Sequence, residues 1–314
     1  MSRLKLSYRN ISTYSLPAQQ NSYRLFENLR LGYDETTEDE DHPILRDLTV
    51  KLECEGGELL SETWEIGQIS PSQYVKLQDR SLRFSHDFLI NLSDEMPITF
   101  SFTVYAQQNH SAPLLSQSEE ITVLPANFWG GETRQPELLA SFVKPNGVYV
   151  ESLVKQVTEL LEANGLGRQA DGYQSNTREK PYAMSAALWS VISSQRISYV
   201  SPPPSYAEQG QLVRLAPDIS NSKMGACLDL SLLFASCFEL MGLNTVVALT
   251  NDHAFVGVWL IDNMFPLLTN DDPMELRKRV DARDLILFES TMVTNSTVPT
   301  FLQACDYARA LISE

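Results

Sequence analysis

The chain reads as an α+β protein: an antiparallel β-sandwich over residues 1–125, then a separate α+β domain over residues 126–314. Three observations predict this. At 314 residues the chain exceeds one ordinary domain, and at roughly 150 residues per domain two are expected. Apolar and polar residues alternate in the first part, the period of two that a half-buried strand needs. Beyond Trp129-Gly-Gly131 the period lengthens to a helical one, and a nearly continuous apolar helix is then followed by strands.

In order, Leu48–Cys54, Tyr74–Gln78, Leu82–His86 and Ile98–Tyr105 are the clearest strands, with polar turns and hardly a helical period between them. The run Asp34–Asp41 is an acidic, solvated loop with a partner site as the lesser alternative. A boundary falls near Leu124–Gly131. Helices are expected over Pro136–Val143, Val148–Ala163 (stopped by Gly165 and Gly167) and Pro181–Ser193, and Pro202–Tyr206 forces a loop. Gly225–Met241 is apolar nearly all round, hence a central helix, ended by Gly242. Thr245–Leu249, His253–Ile261 and Leu285–Glu289 follow as strands, and Pro299 opens a last helix running toward Ile312.

Composition excludes several classes. Apolar residues at 43% and charged ones at 20% are ordinary for a globular chain. A net charge of −16 argues against a nucleic-acid surface built by this chain alone and against docking on anionic lipid. No run reaches the ~18 apolar residues of a membrane span. MSRLKLSYRN lacks a signal-peptide core, and Cys54, Cys227, Cys237 and Cys305 form no CxxC pair, so a cytoplasmic chain with reduced thiols is expected. His42, His86 and His110 lack ligand spacing and read as surface or core residues; no metal and no cofactor is expected.

Cys227 falls in Lys223-Met-Gly-Ala-Cys-Leu-Asp229, in the first turn of the central helix. A helix start carries partial positive charge and unpaired amides, which favour a thiolate and an oxyanion. On position alone, a small buried hydrophobe is the ordinary reading of such a cysteine. The other three cysteines receive only that reading. His253 opens an apolar strand on which it shares a face with Phe255, Gly257 and Trp259, and from a strand tip it can reach a neighbouring helix start. Glu289 ends the run Asp284-Leu-Ile-Leu-Phe-Glu289; a buried carboxylate needs a partner, and a histidine on the adjacent strand would serve, whereas an exposed strand end would need none.

Cysteine on a helix start, histidine on a strand and acid on the next strand together resemble the transglutaminase-like (papain-like) cysteine-peptidase fold. Gly225-Ala-Cys-Leu-Asp229, His253-Ala-Phe-Val-Gly-Val-Trp259 and Phe288-Glu-Ser-Thr291 carry the likeness, with Glu in place of the usual Asp. The order of a β-sandwich-like segment, Trp129-Gly-Gly131, Pro136–Asn146, Tyr199-Val-Ser-Pro-Pro203, Gly210-Gln-Leu-Val-Arg214 and then these motifs is similar to the amino-terminal region of large bacterial superfamily I helicase proteins. No Gly-x-x-x-x-Gly-Lys-Ser/Thr loop occurs, so the chain itself holds no helicase motor.

The resemblance implies a Cys227–His253–Glu289 triad acting on a protein or peptide substrate, with Gln211 as a side-chain oxyanion donor. Proteolysis or amide hydrolysis is the expected outcome, transfer to a lysine amine the variant. It also implies a helicase-bearing partner or a continuation past Glu314, in a bacterial antiphage defence system. The alternative is a catalytically silent binding or regulatory module.

Overall fold

The computed structural model describes residues 4–33, 43–56, 58–59, 62–71, 73–77, 82–106, 112–201, 209–250 and 252–312. The acidic run Asp34–Asp41, His42, His110 and Pro202–Tyr206 lie outside the described residues. The chain is a mixed α+β protein with several sheets and divides into two compact units, Met1–Phe128 and Trp129–Glu314.

The first unit contains β1 (Leu4–Asn10), β2 (Thr13–Tyr14), α1 (Leu16–Gln20), β3 (Phe26–Tyr33), β4 (Leu45–Glu55), β5 (Glu62–Ile69), β6 (Tyr74–Lys76), α2 (His86–Asn91), β7 (Met96–Ala106) and β8 (Leu115–Val123). One sheet runs β1-β3-β6 and the other β2-β8-β7-β4-β5. Alternation explains the burial. In β7, Ile98, Phe100, Phe102 and Val104 are all buried, and β4 pairs antiparallel with it, setting Val50 opposite Val104 and Leu52 opposite Phe102. Phe26 of the smaller sheet meets Phe100 and Phe102 edge-on, at 5.3 and 5.1 Å between ring centres, so the two sheets share an aromatic core.

One local expectation differs from the structure. Leu82–His86 is not a strand: Phe84 makes one isolated bridge to Leu59, and Ser85 caps α2 by accepting from the Phe88 amide. The cap outweighs the alternation, because a serine hydroxyl satisfies an otherwise orphaned helix amide. The second helix, α1, is also entered through a serine cap, with Ser15 accepting from Ala18 N.

The second unit contains β9 (Phe128–Trp129, its first residue at the boundary), a 3₁₀ turn (Pro136–Phe142), α3 (Val148–Ala163), α4 (Glu179–Ser194), β10 (Ser198–Tyr199), β11 (Gln211–Leu212), α5 (Ala216–Ser222), β12 (Met224–Gly225), α6 (Cys227–Leu240), β13 (Thr245–Leu249), β14 (Ala254–Trp259), α7 (Pro273–Asp281), β15 (Leu285–Phe288), a second 3₁₀ turn (Ser290–Thr294) and α8 (Phe301–Leu311). The segment expected as an α-helix from Pro136 is the tighter 3₁₀ form, and the central helix starts at Cys227 because Met224–Gly225 is taken up by a strand.

Every residue from Cys227 to Phe238 is buried, as a helix without a polar face requires. α6 lies against the antiparallel sheet β13-β14-β15. Val256, Val258 and Phe288 join its core, with Phe234 and Phe288 edge-on at 5.0 Å. The opposite residues, Phe255, Trp259, Leu285 and Leu287, pack with Ala308 of α8. Gly257 is needed in β14: a Cβ there would stand 2.4 Å from Leu287 Cδ2 and 2.9 Å from the Ile286 carbonyl oxygen.

Candidate active site

The start of α6 is fixed by a carboxylate three residues in. Asp229 accepts from Ala226 N at 2.8 Å, from Arg214 N at 2.9 Å and from the Arg214 guanidinium at 3.2 Å. Burial pushes the Asp229 pKa up, while these amides and the guanidinium pull against it. The sequence Gly225-Ala-Cys-Leu-Asp229 therefore builds a helix start in which the carboxylate is spent on the backbone. The first-turn amides keep no intrahelical partner there.

Just upstream, β12 pairs in parallel with β10, setting Gly225 beside Tyr199. Tyr199 is thereby brought near Cys227, and the Tyr199 pKa is pushed up to about 12, by burial first and then by the sulfur.

His253 sits one residue before β14, in the hairpin closed by Thr250 N donating to the His253 carbonyl at 2.8 Å. Its ring lies parallel to Phe255 at 6.4 Å, so it follows the strand face expected of it. Glu289 follows β15 directly, and the ladder pairing Val256 with Phe288 brings the two strand ends together. Glu289 Oε2 lies 2.6 Å from His253 Nε2. Glu289 Oε1 accepts from Thr291 N at 2.9 Å and from the Thr291 hydroxyl at 2.6 Å. Cys227 lies near enough to this ring to raise its pKa, and with Nε2 bonded to Glu289 the other ring nitrogen, Nδ1, is left for the sulfur.

The electrostatics follow from that sandwich. The hydrogen bond to Cys227, then the one to Glu289, hold the His253 pKa at about 10 against the opposing effect of burial, so the ring is an imidazolium at neutral pH. Burial pushes Glu289 upward, but the bonds from His253 and Thr291 prevail and leave it below the usual carboxylate value.

Further contacts hold the three elements together. Ser231, one turn into α6, bonds to the Ser290 hydroxyl at 3.0 Å and to the Ala254 carbonyl at 3.4 Å, tying the cysteine's helix to the residues that follow Glu289 and His253. Cys227 packs with Trp129, Val213, Leu228, Leu232 and Ala254 and is 0% exposed.

Gln211 is 3% exposed, and neither of its side-chain amide atoms has a hydrogen-bond partner. Two residues on, Val213 joins the Cys227 cluster and Arg214 binds Asp229. Gly210 has φ +84°, and a Cβ there would stand 2.0 Å from the Trp129 carbonyl oxygen, so the Trp129-Gly-Gly131 motif is the backbone against which the Gln211 segment is laid.

The structure thus brings Cys227, His253 and Glu289 together, the last two in a direct hydrogen bond, and leaves Gln211 buried and unpartnered on an adjoining segment. Sequence reasoning missed Tyr199, Arg214, Thr291 and the Ser231–Ser290 link as parts of the site. Only Thr291, two residues past Glu289 with its amide in position to be capped by that carboxylate, left a readable signal. Of the other cysteines, burial first and then the nearby Asp306 push Cys305 up to about 12, and burial pushes Cys237 upward. Asp252 is exposed and accepts from the Thr250 hydroxyl at 3.4 Å. His86 is exposed at the start of α2. Among the described residues, no group of three or more His, Cys, Asp or Glu is placed to hold a metal ion, and no helix is long and apolar enough to cross a membrane.

No protein-family model, no curated protein and no solved structure matches the chain.

Proposed function

We propose that the second unit is a transglutaminase-like cysteine acyltransferase that hydrolyses protein or peptide amides. The observation that carries this reading is the His253 ring held between the Cys227 thiol and the Glu289 carboxylate, the latter at 2.6 Å. Cys227, as thiolate, attacks the amide carbonyl; a carbon–sulfur bond forms and the carbonyl electron pair moves to oxygen. The oxyanion is received by the Cys227 amide at the helix start and by Gln211 Nε2, whose missing partner it would supply. His253 gives its proton to the leaving amine as the carbon–nitrogen bond breaks. Water, deprotonated by His253, then attacks the thioester, releasing the acid and restoring the thiol; a lysine amine in place of water gives transamidation. Glu289 orients the ring and stabilises its charge, with Thr291 holding the carboxylate. The mechanism calls on no cofactor.

Cys227 is 0% exposed, so a substrate carbonyl reaches it only when a covering residue moves aside. That burial also favours a second reading, a silent module that keeps the fold for binding. The resemblance extends the first reading to a cytoplasmic antiphage system with a helicase-bearing partner, for which co-purification with a nucleic-acid motor is the test.

Site-resolved mass spectrometry after brief treatment with a dilute thiol reagent at neutral pH separates the readings. Catalysis predicts that Cys227 labels ahead of Cys54, Cys237 and Cys305, and that His253→Ala removes this advantage. Equal, slow labelling of all four cysteines, together with a biological phenotype that survives Cys227→Ala, would establish the silent module.

A further inference from the structure

The outer face of the β1-β3-β6 sheet gathers positive charge in a chain whose net charge is −16. Ser7, Arg30 and Lys76 lie in one cross-strand row, since Ser7 pairs with Arg30 and Arg30 with Lys76. Together with Tyr8, Arg9, Asn28 and Tyr74 they line a shallow groove of about 360 Å³.

Its concavity comes from a break in register. Between Ser7 and Arg9 the ladder shifts, so that Tyr8 on β1 faces two residues of β3, Asn28 and Leu29. Asn28 takes up the irregularity at φ +54°, a conformation asparagine tolerates better than most residues. A bulge of this kind re-aims side chains. Here Asn28 stays exposed on the groove side, while the Tyr8 ring packs inward on Phe26 and Phe102 at 5.1 and 5.5 Å.

The cations are uncommitted. Arg9, Arg30 and Lys76 form no ion pair among the described residues. Glu27 stands opposite Arg9 in the ladder, and Glu119 is held by the Tyr8 hydroxyl and Asn10 at 3.2 and 2.7 Å, two acids against the three cations. Arg30 stacks over the Tyr74 ring at 4.8 Å, yet Tyr74 remains 62% exposed. Three cations without an ion pair among the described residues, an exposed ring braced by a guanidinium, and the neutral polar groups of Ser7 and Asn28 match a phosphate with a planar base attached. An acidic peptide would use the charge but leave the tyrosine idle. The repulsion from the rest of the chain is screened beyond the ~8 Å Debye length at physiological salt, so at contact the groove dominates.

We propose that this groove binds a nucleotide unit, phosphate on Arg9, Arg30 and Lys76 and base on Tyr74. The whole-chain charge, which spoke against a nucleic-acid surface, is an average that this face departs from. The unit could belong to a single strand or to a free nucleotide, and the probes separate the two.

The full chain is titrated with a fluorescein-labelled oligothymidylate, with AMP, and with polyglutamate as an anion lacking both phosphate and base. At least one nucleotide probe binds, and Arg30→Glu, Lys76→Glu and Tyr74→Ala each weaken it tenfold or more while thermal unfolding is unchanged. Arg9→Ala and Arg30→Ala serve if a charge reversal unfolds the unit. For the oligonucleotide, log K falls with log salt with a slope of about −0.7, from ~0.7 per phosphate for the one phosphate the groove holds. Oligonucleotide binding without AMP binding assigns the groove to a strand, and AMP binding assigns it to a nucleotide. Silence of both probes at low salt, binding that ignores these substitutions, or polyglutamate binding as tightly as the oligonucleotide would overturn the proposal.

Discussion

His253 concentrates the chemistry of the second unit in one ring. The imidazolium is stabilised from two sides, and its pKa near 10 lies above the value of 6.5 it would have when unfolded. A group raised in this way contributes stability that is fully present below 6.5 and is lost as pH rises through about 10. Urea unfolding of wild type and His253→Gln should therefore differ most below about pH 6.5 and converge toward pH 10; a difference that grows with pH would contradict this. Glu289 acts with the opposite sign, its contribution present above the ordinary carboxylate pKa and lost as pH falls through the lowered value. Glu289→Gln keeps the shape but removes the charge facing Nε2. An amidase activity should fall roughly 10²–10⁴-fold, by analogy with triads that lose their orienting acid, while kcat falls more than KM rises. Glu289→Asp should recover part of the rate, and equal loss in both variants would mean the residue serves only to fold the strand end.

The elements bring these side chains together through short connections. The cysteine begins α6, the histidine precedes β14, the glutamate follows β15, and Ser231 links all three. Ser231→Ala should cost about 1 kcal/mol, the usual value of a lost internal hydrogen bond, read as a drop in melting temperature. Gly210→Ala should do more. Its left-handed backbone and the Trp129 carbonyl leave no room for a methyl group, so the Gln211 segment must shift, and both stability and amide turnover should fall. A variant as stable and active as wild type would show that the Gln211 segment plays no part. Much of this was readable in the sequence. Alternation marked β4 and β7, unbroken apolarity marked α6, and the order of Cys227, His253 and Glu289 marked the candidate triad. β1 and β3 were missed because their bulge interrupts the period, and Leu82–His86 misled because a serine cap redirected it into a helix. Tyr199 and Arg214 reach the site from segments whose partners are distant in sequence, Gly225 and Asp229, so no local pattern announces them.

At the scale of the molecule, two compact units carry separate proposals: acyl transfer in Trp129–Glu314 and nucleotide binding in Met1–Phe128. Their tests are independent, because Tyr74 and Lys76 take no part in the cysteine site and Cys227 takes none in the groove. Adding Asp229→Ala would probe how far the second unit depends on its buried charge. Ala226 N and Arg214 N would lose their acceptor and the Arg214 guanidinium its partner, a cost of roughly 2–4 kcal/mol that should appear as a markedly lower melting temperature. Whether the unit is built around a working nucleophile is tested most directly by the ring itself. With four histidines in the chain, nitrogen-15 NMR of histidine-labelled protein can follow His253 through a pH titration, assigned by His253→Gln. The imidazolium should persist to a pH of about 10 and fall back toward 6.5 when Cys227→Ala or Glu289→Gln removes either neighbour. A ring that titrates near 6.5 in the wild type, indifferent to both substitutions, would contradict the account.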